Sequence, residues 1–242
     1  MKIIAKTDPG RVRPSNQDSY AAGEFRNGVA WAVVCDGMGG TKGGNIASST
    51  AVKSISNHIT TAYRDNMSSS SIKNLLTTSI INANYEIYDM ARANPDLNGM
   101  GTTVVAALMD KQTVYIAHAG DSRAYLLSQD HIRQVTTDHS YVQTMLEYGQ
   151  MTEKEAQSSD KKNLITRALG VDEEIRIDYT EEDLQEDELL FICTDGLTNY
   201  VSDEEILSVR SEERDSDFAL RLVELANDHG GGDNITVVAI SE

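Results

Sequence analysis

Between residues 102 and 135, four apolar, β-branched runs (TTVVAALM, TVYIAHAG, RAYLL and HIRQV) are separated by short polar breaks such as Asp110-Lys111-Gln112 and Ser128-Gln129-Asp130. A parallel pair of strands needs a crossover of a dozen or more residues, so neighbours joined this tightly must pair antiparallel. The same pattern occurs earlier, where residues 18–25 and 29–35 read as strands joined through Asn27-Gly28, the dipeptide best suited to the positive φ angles of a tight hairpin. Helical periodicity lies between these strand groups. One stretch near 45–62 puts Ile46, Val52, Ile55 and Ile59 on one face, and another near 71–92 does so with Ile72, Leu75, Leu76, Ile80, Ala83 and Ile87. Runs of strands beside runs of helices favour α+β layering over the alternating order of a dinucleotide fold. Later come the buried strand ELLFIC, a helix opened by the capping box Ser202-x-x-Glu205, a helix near 215–228 and the closing strand ITVVAI.

No internal repeat or linker interrupts this order, and one domain spanning 1–242 is expected. A domain of this length buries roughly 70–75% of the surface its unfolded chain exposes, so it needs neither disulfides nor a structural metal. Cys35 and Cys193 sit singly inside apolar runs, away from the paired spacing of thiolate zinc sites, and read as small buried hydrophobes. The formal net charge of -17 opposes a nucleic-acid backbone and attracts hard cations. The first residues lack a secretory apolar region and nothing later approaches the ~18 apolar residues of a membrane span, so a cytoplasmic setting without a membrane partner is expected.

Residues 139–162 depart from the strand pattern, being polar apart from a modest helix at 140–148 and a second capping box, Thr152-x-x-Glu155. Long surface excursions are often functional, and a decorative insertion is the equal alternative.

Four aspartates stand where apolar strands meet the surface. AWAVVCDGMGG carries Asp36 from a strand into a glycine-rich turn, and ELLFICTDG does the same for Asp195; Asp121 follows YIAHAG, and Asp233 precedes ITVVAI. A lone Asp-Gly is a common turn, and among 38 acidic residues most carboxylates are simply solvated. Four at strand ends are harder to dismiss, because crowded carboxylates repel unless cations lie between them. Oxygen-only ligands point to magnesium or manganese rather than zinc. The spacing fits no EF-hand loop, and the glycines around Lys42 match neither phosphate-loop pattern. On the loop before Asp18, Arg13 is either an exposed arginine beside Arg11 or a guanidinium fork for phosphate. The five histidines, including His139, show no pair at ligand spacing.

In order along the chain, R-x-x-N-Q-D at 13–18, VVCDGMGG at 33–40, GTT at 101–103, AGDSRAY at 119–125, TDHS at 137–140, CTDGL at 193–197 and GGGDNIT at 230–236 resemble the protein phosphatase 2C family, bacterial type. The resemblance covers nearly the whole chain. It implies a β-sandwich of two antiparallel sheets flanked by helices on both sides, with a metal centre at one end. It also implies hydrolysis of phosphoserine and phosphothreonine in proteins by two manganese or magnesium ions, with a hydroxide bridging them as nucleophile. By resemblance, Asp36 bridges both ions, the Gly37 carbonyl binds one, Asp195 and Asp233 bind the other, and Asp18 acts through metal-bound water. Asp121 with Asp195 corresponds to a third, weaker ion site, Arg13 to the arginine that grips the substrate phosphate, and 139–162 to the flap. Phosphorylated proteins, a cognate serine/threonine kinase and a monomeric state are the partner expectations by family analogy. Met38 stands where animal members carry a histidine proposed as general acid, and a thioether cannot donate that proton. Gly40, Thr41, Gly44 and Asn45 replace the G-H-x-x-G-E of many bacterial relatives. The rivals are a silent pseudophosphatase, disfavoured because every expected ligand is present, and a metal hydrolase acting on small phosphoesters.

Overall fold

The computed structural model describes the chain apart from residues 112, 186, 213 and 214 and the side chains of 41, 42, 157 and 215, so Gln112 of the predicted break lies outside the described residues. Among the described residues there are eleven strands: β1 Lys2–Asp8, β2 Asp18–Glu24, β3 Ala30–Met38, β4 Gly101–Thr102, β5 Val104–Met109, β6 Thr113–Ala119, β7 Arg123–Leu127, β8 Ile132–Gln134, β9 Asp178–Asp183, β10 Leu189–Cys193 and β11 Ile235–Ser241. They form two sheets, one ordered β1-β11-β10-β7-β8 and the other β2-β3-β5-β6-β9, with β4 attached to β3. All of these pairings are antiparallel, as the short breaks require.

The long helices α1 Gly40–Ala62 and α2 Ser69–Ala93 pack on the outer face of the β2–β9 sheet; the short α3 Tyr141–Glu147 and α4 Glu153–Gln157 belong to the 139–162 segment. On the other sheet's outer face lie α5 Asp195–Thr198, α6 Asp203–Glu212 and α7 Phe218–Asp228. The apolar runs look continuous in sequence because both faces of the central strands are covered. In β3, Ala30, Ala32 and Val34 face the opposite sheet while Trp31, Val33 and Cys35 face α1 and α2. In β10, Leu190 and Ile192 face inward while Phe191 and Cys193 pack under α7. Burying one such Ile, Leu or Phe contributes about 1.5–3 kcal/mol, so the three apolar layers hold the sandwich together.

Both predicted capping boxes form. The Thr152 amide donates to Glu155 Oε2 at 2.8 Å, and the Ser202 amide to Glu205 Oε2 at 2.9 Å. The β2–β3 hairpin is looser than expected. Only Gly28 takes a positive φ (+87°), and its amide donates to the Phe25 carbonyl, so the connection is a turn followed by a left-handed glycine rather than a two-residue turn on Asn27-Gly28. Helix α1 begins at Gly40, five residues before the periodicity signalled it. Among the described residues no helix is long and apolar enough to cross a membrane.

Candidate metal centre

The inward-facing layer between the sheets changes character at one end of the sandwich. Alternation places Asp18 and Asp36, opposite each other in the β2–β3 register, on the same inward face as Tyr20, Ala22, Ala32 and Val34. From the other sheet, Thr194 and Thr236 continue the inward positions of Ile192 and Val238. Apolar core therefore gives way to a buried polar layer. Asp18 Oδ2 accepts hydrogen bonds from Thr194 Oγ1 (2.9 Å) and Thr236 Oγ1 (2.7 Å).

Above this layer opens a cavity of about 430 Å³ lined by Arg13, Asp36, Gly37, Asp121, Asp195 and Asp233, among others. Six of the seven residues singled out from the sequence thus share one cavity; Asp18 is not on its wall but lies buried within charge range of Asp195 and Asp233. Asp36, near the end of β3, has its backbone fixed from β4 and the residue that follows it: its amide donates to Thr103 Oγ1 (2.9 Å), and its carbonyl accepts from Thr102 Oγ1 (2.7 Å) and the Thr103 amide (2.8 Å). Asp195 opens α5, and its Oδ2 accepts from Asn199 Nδ2 at 3.0 Å. Gly196 follows because no side chain fits there. A Cβ at 196 would overlap the carbonyl oxygen of Asn234, so the Asp195 and Asp233 loops run in backbone contact. The half-exposed Arg13 donates from Nη2 to Asp233 Oδ2 at 2.8 Å.

Burial dominates the electrostatics. It pushes Asp18 up to about 7, with Asp195 and Asp233 adding to the rise and the two threonine hydroxyls opposing it. Burial and the charges of Asp18, Asp195, Asp121 and Asp233 hold Asp36 well above the usual carboxylate range. Asp121 is pushed up to about 8 by burial, then by Asp195 and Asp138. Asp195 is raised by burial and then by the charge of Asp233, with neighbouring Asp36 and the Asn199 amide opposing the rise. Asp18 Oδ1 and Asp195 Oδ1 are buried with no hydrogen-bond donor within reach. Orphaned carboxylate oxygens in a wall of like charge suit hard divalent cations, and all the donors are oxygen. Among the described residues no three His, Cys, Asp or Glu side chains form a finished ligand set, so the fit rests on donor chemistry and on those orphaned oxygens.

Sequence reasoning missed the residues that hold the aspartates: Thr103, Thr194, Asn199, Asn234 and Thr236. Each lies one to four positions from an aspartate or in the GTT string, so adjacency was the available signal. A second cavity of about 810 Å³ shares Asp121, Asn163 and Asp195 with the first and runs between α3–α4 and the segment from Thr198 to Glu205.

The family model described as protein phosphatase 2C matches residues 11–228. The serine/threonine phosphatase stp of Listeria innocua is 39% identical over 238 residues, covering 97% of this chain and 93% of that protein. The structure of the S. agalactiae serine/threonine phosphatase superposes with a TM-score of 0.92 at 36% identity, covering 98% of each chain. The catalytic domain of the phosphatase PstP in complex with two manganese ions superposes with a TM-score of 0.84 at 34% identity, covering 98% of this chain and 96% of that one. With the strand-end aspartates gathered at one end of a helix-flanked antiparallel sandwich, this chain belongs to the protein phosphatase 2C family of metal-dependent serine/threonine phosphatases.

Proposed function

We propose that this chain hydrolyses phosphoserine and phosphothreonine in proteins at a centre of two manganese or magnesium ions, with a weaker third ion beside them. In this reading Asp36 serves both core ions, the Gly37 carbonyl one, and Asp195 and Asp233 the other; Asp18 acts through water, and Asp121 with Asp195 takes the third. The carrying observation is the group of part-buried carboxylates, Asp36, Asp121, Asp195 and Asp233, gathered beside Arg13 above the buried Asp18, with one oxygen each of Asp18 and Asp195 lacking any donor. The two manganese ions in the PstP complex support the count of core ions. When bound, such ions lower the pKa of water and neutralise charge on phosphoryl oxygens.

The chain's own residues do the rest. Arg13 stands at the cavity with its fork half exposed, so an incoming phosphate can compete with Asp233 for it. Helix α1 starts at the cavity wall, where Gly39 and Gly40 lie, with no side-chain cap and no acidic residue in its first turn, an arrangement that favours an anion. Thr194 and Thr236 fix the Asp18 carboxylate with its other oxygen free. Met38 lines the same cavity and offers no proton, so water must protonate the leaving oxygen, or the oxygen departs as alkoxide. We read 1–242 as one domain, with 139–162 as its flap over the larger cavity. A kinase that makes the phosphoprotein is the natural counterpart.

Phosphopeptide hydrolysis in EDTA, then with added manganese or magnesium, tests this directly: activity should vanish on chelation and return with metal. Activity surviving thorough chelation would refute the reading. A panel that includes small phosphoesters separates the protein phosphatase from a general phosphoesterase.

A further inference from the structure

The TDHS string at 137–140 has no part in the chemistry described so far, yet its histidine is tied to the metal-centre loop at two points. The His139 amide donates to the Gly120 carbonyl at 2.9 Å, and the Gly120 amide donates back to His139 Nδ1 at 3.1 Å. Gly120 begins the three-residue link Gly120-Asp121-Ser122 between β6 and β7, so the residue gripped is the immediate neighbour of Asp121. The far side of that link is also held. Ser122 Oγ lies 2.7 Å from Thr103 Oγ1, the same hydroxyl that receives the Asp36 amide. Gly120 itself, at φ +116°, presses on Thr103, where a Cβ would come within 2.6 Å of the threonine side chain.

His139 is also where the flap is hinged to the sandwich. Its carbonyl accepts the Thr166 amide at 2.7 Å, the Tyr141 amide donates to the Leu164 carbonyl at 2.8 Å, and Ser140 bridges Ile165 between them. The two ends of the flap are thereby zipped together at His139. The ring is not free to swing. It stacks on His118 with centroids 4.6 Å apart and planes 8° apart, and it is buried to 6% exposure. Because an amide N–H can only donate, Nδ1 carries no proton; the ring proton sits on Nε2, 3.3 Å from Asp178 Oδ2. Arg167 bonds the other oxygen of that carboxylate at 2.8 Å and lies 2.9 Å from Nε2.

We propose that His139 is a positioning residue that couples the flap to Asp121, its Nδ1 and main chain clamping Gly120 so that the flap base and the Asp121 side of the metal centre move as one. Among the described contacts Asp121's carboxylate meets no other side chain and bonds only its own backbone, so its aim follows the main chain that the two flanking residues hold. The inference rests on the metal reading given above, and its decisive readout does not.

Two substitutions separate the two edges of the ring. His139→Asn keeps an oxygen acceptor near the place of Nδ1 and gives up Asp178, whereas His139→Gln reaches toward Asp178 without an acceptor for Gly120. Amide hydrogen exchange in the magnesium-loaded protein should rise about tenfold at Gly120 in His139→Gln, the worth of roughly one hydrogen bond. In His139→Asn it should stay within about threefold. The manganese concentration giving half-maximal phosphopeptide hydrolysis should follow the same order, rising about tenfold in His139→Gln only. Asp178→Asn, which cuts the other edge, should leave both readouts near those of the unmodified chain. Equal losses in the Asn and Gln variants, or unchanged Gly120 exchange in His139→Gln, would overturn the coupling. If neither His139 variant folds, exchange in the unmodified protein decides. Gly120, Tyr141 and Thr166 should exchange together, and a Gly120 amide opening well ahead of the other two refutes the clamp. An unmodified chain inactive with manganese would sink the phosphatase reading while leaving the exchange result to stand.

Discussion

Replacing Gly196 with alanine tests how tightly the fold sets its carboxylates. A Cβ at 196 would overlap the Asn234 carbonyl oxygen, sit 2.9 Å from its carbon and 3.4 Å from Asp233 Cβ. Favourable carbon contacts lie near 3.5–4.0 Å, so the backbones must part, and hydrogen bonds on both sides leave little slack. The Thr194 amide donates to the Thr236 carbonyl at 3.1 Å, and the Thr236 amide to Thr194 Oγ1 at 3.0 Å. Overpacking of this kind costs about 1–3 kcal/mol. For a chain of this size that lowers Tm by roughly 2–4 °C per kcal/mol. The larger effect falls on chemistry, because the loops that separate carry Asp195 and Asp233. A displacement of roughly 1 Å in a reacting constellation can cost about 10²-fold in rate. We therefore expect a folded Gly196→Ala protein, about 5 °C less stable, with phosphopeptide turnover down about a hundredfold and a raised manganese requirement. Calorimetry and metal-titrated kinetics on one preparation measure all three. Near-native turnover at the native manganese requirement would show that the Asp195–Asp233 spacing is not what that contact fixes.

Asp36→Asn and Asp195→Asn should each abolish turnover with the fold intact, seen as native circular dichroism without phosphopeptide hydrolysis; near-native rates at saturating manganese would refute the ligand assignment. Arg13→Ala should mainly raise KM, since its Nη2 contact at the cavity rim is with Asp233 rather than with a reacting atom, and an unchanged KM would move phosphate binding elsewhere. His139 is pushed down to about 4 from 6.5 by burial, then by His118 and Arg167, with Asp178 opposing. The unfolded chain then binds the extra proton first, so His139 costs stability as pH falls from about 6.5 toward 4, close to 2 kcal/mol by pH 5. Urea unfolding at pH 7 and pH 5 should show a smaller acid loss in His139→Asn than in the unmodified chain, and equal losses would refute the shift.

The elements most legible in the sequence were those whose neighbours in space are also neighbours in the chain. β5, β6 and β7 announced themselves through short breaks, and α2 through the stripe from Ile72 to Ile87. β1 and β9 did not. Each is an edge strand, and β9, with the sequence DYTEED, carries the charge that keeps an edge from pairing with another chain, which erases its apolar signature. β1 pairs along its whole length with β11 at the far end of the chain, a partnership no local window reveals. The first turns of α1 were hidden by Gly40, Gly43 and Gly44, poor helix formers each present for a local reason: Gly40 takes a positive φ (+78°), Gly44 lies against the Gly37 backbone, and a Cβ at Gly43 would crowd Met100. For the centre itself, the aspartates were visible as strand-end punctuation. Their holders were not, because Thr194 and Thr236 look like ordinary β-branched strand residues until the sheets are stacked.

Stacking also explains why the carboxylates meet at all. Asp18 and Asp36 hang from one sheet, and Asp195 and Asp233 flank strands of the other. Asp121 lies on the link by which the chain passes from β6 in the first sheet to β7 in the second. No single sheet could build the centre; its dimensions are those of the gap between two sheets. That gap is filled next to the carboxylates by Tyr20, Val34, Ile192 and Val238, and farther along the strands by residues that include the small Ala30, Ala32 and Ala107. The Asp18–Thr194 and Asp18–Thr236 hydrogen bonds then join the sheets directly beneath the carboxylates. Close-packed interiors transmit small displacements rather than absorbing them. The spacing of the aspartates is therefore a property of the inter-sheet core as much as of the loops that bear them, and the motifs cluster where that core runs out.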